Sequence, residues 1–309
     1  MRSSFSKIAA RAAIGLLLGA TVIAVCSKRT SKSFVVSQFI DYFAPCSDLD
    51  PQWERDEAPG REAFVSRVLQ QPFNFLGQGK QCSAYESSDG KYVLKFILQK
   101  PLRIEEKKSG TTDSFLFKPF EESKRNAKIN RETALLTSLL ISSSVIPDET
   151  GTFFVHLNST KALPRQVLLI DRKSDAHLVD VNTVKWVLQK RARHIKIVLA
   201  ELMWQGKTDE AKERIDQLFT LLFNCTKKGI VDVDTALVRN NNIGFLPDRA
   251  IYIDTGKLRV SDVILDRSDF EKDVKRLFPL YKWLAKYYPV LAEYYELKKN
   301  EMIAAYEDN

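Results

Sequence analysis

The chain has 309 residues, of which 44% are hydrophobic and 28% are charged, a composition typical of a globular protein long enough to hold two lobes. Its formal net charge is +8, but six basic residues precede the first acidic residue, Asp41, so the rest of the chain carries only about +2, which argues against a general nucleic-acid binder. Four cysteines are widely spaced without a C-x-x-C pair, which argues against a disulfide framework or a zinc site.

An apolar, uncharged run, AAIGLLLGATVIAVC, occupies residues 12–26 with basic residues on both sides. It approaches the roughly 20 residues of a membrane-spanning helix if Ile8-Ala9-Ala10 join it. We therefore interpret residues 1–32 as an uncleaved single-pass membrane anchor, whose orientation the flanking charges leave open. The alternative is a signal peptide cleaved near Ala24-Val25-Cys26, after which the rest of the chain would be exported.

Residues 33–62 are predicted to form an acidic linker, because they combine three prolines with several carboxylates and show little hydrophobic periodicity. A short helix is expected next, around Arg61–Gln70. The lysine-rich segment from Gln99 to Lys118 is predicted to be an exposed insertion whose charges are solvated.

Strand-like runs and two tight turns make up Phe73–Phe96, FNFLGQGKQCSAYESSDGKYVLKF. Gly77-Gln78-Gly79 predicts a turn whose backbone uses angles closed to other residues, and Ser88-Asp89-Gly90 predicts a second turn. Lys95 interrupts the third strand, which is apolar, and a charge in such a strand needs a partner. The alternative is an ordinary hairpin whose lysine extends to solvent.

The middle of the chain combines one amphipathic helix with further strands and helices. Glu121–Leu140 predicts the amphipathic helix, with Glu132 near its apolar half and with Glu121 and Glu122 as alternative carboxylates. Strands are predicted at Thr152–Leu157, Arg165–Asp171 and Ala176–Val181, and helices at Asn182–Trp204 and Asp209–Cys225.

A second polar cluster follows these helices. Asp232 and Asp234 come after a short apolar run, and Asn240-Asn241-Asn242 leads into an apolar strand. The strand Ala250–Ile253 then ends in Asp254-Thr255-Gly256. Taken alone, this stretch is also typical of a β-hairpin with Asn and Asp turn residues.

The order of these features resembles the protein-kinase superfamily, from the glycine turn at Gly77 to the Asp-x-Gly motif at Asp254. The resemblance covers roughly Phe73 to Lys257. It implies an α+β, bilobal kinase-like fold behind the N-terminal hydrophobic segment. A β-rich N-lobe with one helix would occupy residues 63–171, a hinge would lie near Ile170-Asp171-Arg172, and a truncated helical C-lobe would occupy residues 172–309.

The resemblance also implies a nucleotide site. Gly77 and Gly79 would cover the phosphates of ATP through the backbone, and Lys95 would bind the α- and β-phosphates. Glu132 would pair with Lys95 and orient it.

A metal and an acceptor site are implied in the same way. Asn242 and Asp254 would hold Mg²⁺, which prefers oxygen ligands and usually takes one or two carboxylates; Asn240 or Asn241 could replace Asn242 as the ligand. Asp234 would orient the acceptor hydroxyl, with Asp232 as the alternative.

Several departures from the kinase pattern keep two functions open. Cys82 stands where a third glycine would be, the H-R-D motif is absent, and seven residues separate Asp234 from Asn242 instead of four. The 55 residues after Asp254 contain no A-P-E motif.

The first function is a membrane-anchored, kinase-like phosphotransferase acting on a protein or small-molecule hydroxyl. The second is a catalytically inactive pseudokinase that serves as a binding or scaffolding module for a protein partner. An exported protein that binds no nucleotide would follow if the N-terminal segment is cleaved. For all of these functions, we expect no nucleic-acid partner.

Overall fold

The structure is a computed structural model, and it describes residues 43–46, 50–53, 60–99, 118–161, 163–164, 166–234, 237–238 and 242–306. The side chains of residues 118–125 lie outside the description. No helix in the described part of the chain is long and apolar enough to cross a bilayer, and the predicted anchor lies outside that part. Within these ranges the fold is α+β, as the sequence predicts.

Seven strands form one sheet in the order β4-β7-β3-β2-β1-β5-β6. Their bounds are β1 Phe73–Gln78, β2 Cys82–Ser87, β3 Tyr92–Ile97, β4 Thr152–His156, β5 Gln166–Ile170, β6 Ala176–Asp180 and β7 Trp186–Lys190. The first three form the antiparallel meander predicted from the two turns, and β5 pairs with β1 in parallel. The boundary placed at Asp171 therefore falls inside this sheet, because β6 and β7 follow it in sequence.

The helix predicted over Asn182–Trp204 is wrong for its first half. Trp186–Lys190 is a strand between β3 and β4, and Trp186, Val187 and Leu188 are all buried. A strand covered on both faces is apolar throughout, so its period cannot be told from that of a buried helix. Only Ile195–Trp204 is helical.

Five more strands form two small sheets. Strands β8 Arg193–His194, β10 Ile243–Phe245 and β11 Ala250–Tyr252 make a three-stranded sheet in the order β11-β10-β8. Strands β9 Ile230–Asp232 and β12 Leu258–Val260 pair antiparallel. These short strands carry the residues of the second polar cluster at their ends.

Eight α-helices complete the described part of the chain. They are α1 Arg61–Val68, α2 Lys118–Ser144, α3 Pro147–Thr150, α4 Ile195–Trp204, α5 Thr208–Lys227, α6 Arg267–Lys275, α7 Phe278–Tyr287 and α8 Pro289–Ala304. Helix α2 buries Leu136 and Leu139, whereas Ile129, earlier on the same helix, is 51% exposed. Helix α6 begins at a capping box formed by Asp266 and Asp269.

The main apolar core lies among helices α4 to α8 and the short strands. Phe219 of α5 packs on Tyr295 of α8, with ring centroids 5.0 Å apart, and Phe270 of α6 stacks on Tyr306. Aromatic residues of the last helices thus contribute to this core, although Tyr287 is 54% exposed.

Part of the predicted linker belongs to the folded body. Phe43, Ala44 and Trp53 are buried. The Ala44 amide donates to the Ile97 carbonyl at 2.8 Å, and the Lys185 amide donates to the Ala44 carbonyl at 2.8 Å. The acidic composition of the segment gave no indication of this packing, because only a few of its residues are apolar and these few are the buried ones.

Candidate functional site

Lys95 lies on β3, where its backbone pairs with Ala84 of β2 and Val187 of β7. Its ammonium group donates to the backbone carbonyl of Ile253, the residue before Asp254. Burial lowers the pKa of Lys95, and the negative charge of Asp254 opposes that shift. The lysine predicted to need a partner has one, and this partner is a neutral carbonyl at the start of the Asp-x-Gly motif.

The glycine turn has an open backbone. Gly77 lies in β1 next to a bulge, and the Gly79 amide donates to the Cys82 carbonyl at 2.8 Å. Neither glycine has a positive φ, so the expectation of glycine-only backbone angles is wrong. A Cβ at Gly77 would have no heavy atom within 4 Å, and at Gly79 the nearest would be the Cys82 carbonyl oxygen at 3.8 Å.

Asp254 follows β11 and is exposed. Its Oδ1 accepts a hydrogen bond from the Gly256 amide at 3.1 Å, which closes a tight turn. A Cβ at Gly256 would lie 2.7 Å from Oε1 of Gln81 and 3.1 Å from Leu135. The Asp-x-Gly segment therefore lies against both the glycine turn and α2.

Asn242 joins Asp254 to Asp234. Its carbonyl accepts from the Ile253 amide at 2.6 Å and from the Asp254 amide at 3.4 Å. Its side-chain Nδ2 donates to Oδ2 of Asp234 at 3.0 Å. Asn240 and Asn241 lie outside the described residues.

Asp234 is buried, and its Oδ2 also lies 3.3 Å from the ammonium group of Lys257. Asp232 precedes it by two residues and uses both carboxylate oxygens. Oδ1 accepts from the Asp234 amide and Oδ2 accepts from Arg276, each at 2.9 Å. Burial raises the pKa of Asp232 to about 6, even though Arg276 and the Asp234 amide act in the opposite direction.

The predicted pair between Lys95 and Glu132 is not formed. Glu132 is exposed on α2, and its Oε1 lies 3.6 Å from the ammonium group of Lys185, which is buried. A lysine directly before β7 binds the carboxylate instead, and the sequence shows no sign of that contact. The side chains of the alternatives, Glu121 and Glu122, lie outside the described part of the chain.

Helix α2 contributes a residue that the sequence analysis missed. The Ser138 hydroxyl donates to the Thr255 carbonyl and accepts from the Leu258 amide at 2.6 Å. The helix thus holds the segment that follows Asp254. A serine among the buried leucines of α2 was the available signal, since a buried hydroxyl requires a partner.

Two cations were also missed. Lys257 directly follows Asp254-Thr255-Gly256, so its position beside the motif could have been noticed. Arg276 gave no local signal, because its contact with Asp232 spans 44 residues of sequence.

A metal would have few protein ligands here. No group of three or more His, Cys, Asp or Glu side chains suited to a metal occurs among the residues that the structure describes. Mg²⁺ keeps several waters and usually takes one or two carboxylates. The exposed carboxylate of Asp254 and the side-chain amide of Asn242, whose backbone carbonyl accepts from the Asp254 amide, are the types of ligand that fit this requirement.

Comparison with known proteins identifies no family for this chain. No protein-family model matches the sequence, and no curated protein matches it. Among solved structures, two of WbdD, one described as a bifunctional kinase-methyltransferase, share 15% and 14% identity with this chain, each at a TM-score of 0.34. They cover 74% and 72% of this chain, which spans only 50% and 46% of theirs. This likeness assigns neither fold nor function.

Proposed function

We propose that this chain is a membrane-anchored, bilobal kinase-like protein that binds ATP with Mg²⁺ and transfers phosphate to a hydroxyl of a protein or small molecule. The large sheet would be one lobe, and the helices α4 to α8 with the short strands would be the other. The connection between β7 and β8 would be the hinge.

One observation carries the proposal. Lys95 comes from β3, the Asp-x-Gly motif follows β11, and Asn242 precedes β10, yet consecutive hydrogen bonds join all three. Lys95 binds the Ile253 carbonyl, and the amides of Ile253 and Asp254 bind the Asn242 carbonyl. A cation, a carboxylate and an amide are the groups that hold nucleotide phosphates and their metal in protein kinases.

Each residue would have a separate task. Lys95 and the open backbone at Gly77 and Gly79 would bind phosphate oxygens, and Asn242 and Asp254 would hold Mg²⁺, which neutralises charge on the phosphates.

Asp234 would act on the acceptor. In the transfer, the acceptor oxygen bonds to the γ-phosphorus, the bond from that phosphorus to the bridging oxygen breaks, ADP leaves, and Asp234 takes the hydroxyl proton.

The second candidate is a pseudokinase, favoured by the ion pair between Glu132 and Lys185. Protein kinases need the pair between the β3 lysine and the helix glutamate for activity. In this structure Lys95 contacts a carbonyl instead. A protein locked in this arrangement would bind a partner, with or without nucleotide, and transfer no phosphate.

Nucleotide binding tests the proposal. We expect ATP with Mg²⁺ to raise the melting temperature, because a ligand selective for the folded state stabilises it by mass action. Lys95→Ala should abolish most of this shift, and Lys91→Ala, which removes an exposed lysine next to the same strand, should leave it unchanged. An equal shift in both variants would show that Lys95 does not bind the nucleotide.

Turnover then separates the two candidates. A wild-type chain that binds ATP-Mg²⁺ but forms no ADP with any acceptor, water included, would favour the pseudokinase.

Membrane attachment is a separate part of the proposal and rests on the apolar run at residues 12–26. We expect the full chain to sediment with membranes and to keep its N-terminal segment. Recovery of a mature chain that begins at Cys26 or Ser27 would instead establish export, and ATP would be scarce in that compartment.

A further inference from the structure

Arg276 lies just after α6 and reaches into the loop that carries Asp234. Its side chain is 14% exposed. One guanidinium nitrogen, Nη2, donates to Oδ2 of Asp232 at 2.9 Å and to the backbone carbonyl of Asp234. The other, Nη1, donates to Oδ1 of Asp273 at 2.8 Å.

Asp232 completes the arrangement from the other side. Its side chain is 3% exposed, and its Oδ1 accepts the Asp234 amide at 2.9 Å. The amide and the carbonyl of Asp234 are therefore both held, one by Asp232 and the other by Arg276. Because Asp232 and Arg276 also bind each other, the backbone of Asp234 is enclosed in a ring of charge-assisted hydrogen bonds.

The support for this ring is rigid. Helix α6 begins at its capping box and buries Phe270 and Val274 in the main core. Asp273, in the last turn of α6, accepts from the second guanidinium nitrogen of Arg276. Asp232 ends β9, which is paired with β12. A side chain held by such elements is positioned more accurately than one on a loop alone.

We propose that Asp232 and Arg276 form a positioning pair that fixes the backbone of Asp234 and thereby aims its carboxylate at the acceptor. This inference rests on the proposed phosphotransfer and assigns Asp232 a different role from the proton acceptor considered in the sequence analysis. Both Asp232 oxygens are engaged in the ring, whereas the Asp234 carboxylate contacts Lys257 and Asn242, the latter a proposed metal ligand.

Amide hydrogen exchange tests the positioning without requiring turnover. In the full chain, Arg276→Gln and Asp232→Asn should each raise the exchange rate of the Asp234 amide by about tenfold or more, because local opening becomes easier. The control is Arg267→Gln, which removes an arginine of the same helix that forms an exposed pair with Glu271. Exchange at Asp234 that matches the control in both variants would overturn the proposal.

Kinetics tests the consequence for the reaction. Each single variant should lower kcat for ADP formation at least tenfold and leave the KM for ATP within about twofold, since neither residue faces the nucleotide in the proposed site. A loss confined to KM would contradict the positioning role.

Loss of folding is separated from loss of positioning by the double variant Asp232→Asn/Arg276→Gln. Removing one member of a buried pair leaves an unpaired charge, and removing both largely relieves that cost. The double variant should regain melting temperature over the less stable single variant while kcat stays low. Recovery of wild-type kcat together with stability would show that the pair is only structural.

Failure of the proposed function looks different. If the wild-type chain forms no ADP, the proposed phosphotransfer is wrong. The hydrogen-exchange rates of the Asp234 amide still decide whether the pair holds Asp234.

Discussion

Lys95 and Asp234 are both charged groups in partly or fully buried positions, but their surroundings differ. In the described part of the chain, the hydrogen bond of Lys95 goes to a neutral carbonyl, and its ion pair with Glu132 is not formed. Asp234, by contrast, is held through its backbone by the ring of Asp232 and Arg276, and its carboxylate lies 3.3 Å from the ammonium group of Lys257.

The difference indicates what each region is built to do. Burial of an ammonium group is costly, and an arriving anion would add to the partial relief that the nearby charge of Asp254 gives. The region around Lys95 is therefore suited to take up a charged ligand. The ring around Asp234 already pairs Asp232 with Arg276, so it is suited to keep one geometry throughout a reaction.

The largest expected effect is on transfer and tests the ring region. Asp234→Asn should lower the rate of ADP formation by about 10²- to 10⁴-fold, the contribution typical of a positioned base. Affinity for ATP-Mg²⁺, measured by calorimetry, should change little, because the base acts on the acceptor.

The matched control for Asp234 is Asp248→Asn, which neutralises an aspartate 65% exposed in the turn before β11. A contradicting result would have two parts: Asp234→Asn retains phosphate transfer, and Asp232→Asn abolishes it without changing the hydrogen-exchange rate of the Asp234 amide. Asp232 would then be the base.

A smaller effect is expected at the junction of the two regions. Asp254→Asn removes a carboxylate charge facing the proposed Mg²⁺, and the loss of this ligand should weaken ATP binding in the presence of Mg²⁺ by roughly tenfold or more. Binding in the presence of EDTA should be less affected. A variant whose affinity still rises with Mg²⁺ as steeply as the wild type would remove Asp254 from the metal site.

Local patterns were enough to predict the strands around Lys95. The alternation of residues and the turns at Gly79 and Gly90 determine β1 to β3, because neighbouring strands in a meander make contacts that are close in sequence. The same local signals placed α2 and the strand before Asp254.

Contacts distant in sequence could not be predicted in this way. The sequence predicts a helix over β7, because the burial of this strand depends on β3 and β4, which are distant in sequence. Glu132 was assigned to Lys95, but Lys185 lies closer in the folded chain. Arg276 was not considered at all, since its role depends on where α6 packs.

Two glycines in different surroundings can also be compared: Gly77 lies in the open glycine turn, and Gly244 lies in β10 with close neighbours. Gly77→Ala should change the free energy of unfolding by no more than about 0.5 kcal/mol, because a Cβ there meets no atom within 4 Å. Gly244→Ala should cost about 1–3 kcal/mol, because its Cβ would lie 2.8 Å from the Arg193 carbonyl oxygen.

Urea denaturation measures both glycine variants. Gly77→Ala should still weaken ATP binding if phosphates approach that backbone. Unchanged affinity for ATP would remove Gly77 from the nucleotide site, and equal stability of the two variants would contradict the packing.

The smallest effect concerns the pH dependence of stability and tests the ring around Asp234. Asp232 faces Arg276, Asp234, Tyr252 and Cys225, and burial raises its pKa from 3.8 to about 6. Between these values the folded state keeps a proton that the unfolded state has lost, so the contribution of Asp232 to stability falls as pH rises through this window. From pH 5 to pH 7 the free energy of unfolding should therefore decrease by about 1 kcal/mol through this group.

Urea titrations at several pH values test this expectation. The free energy of unfolding of Asp232→Asn should lack this part of the pH dependence, whatever its absolute stability. Parallel slopes for variant and wild type would mean that Asp232 ionises in the folded chain as readily as in the unfolded one, and that the ring compensates its burial completely.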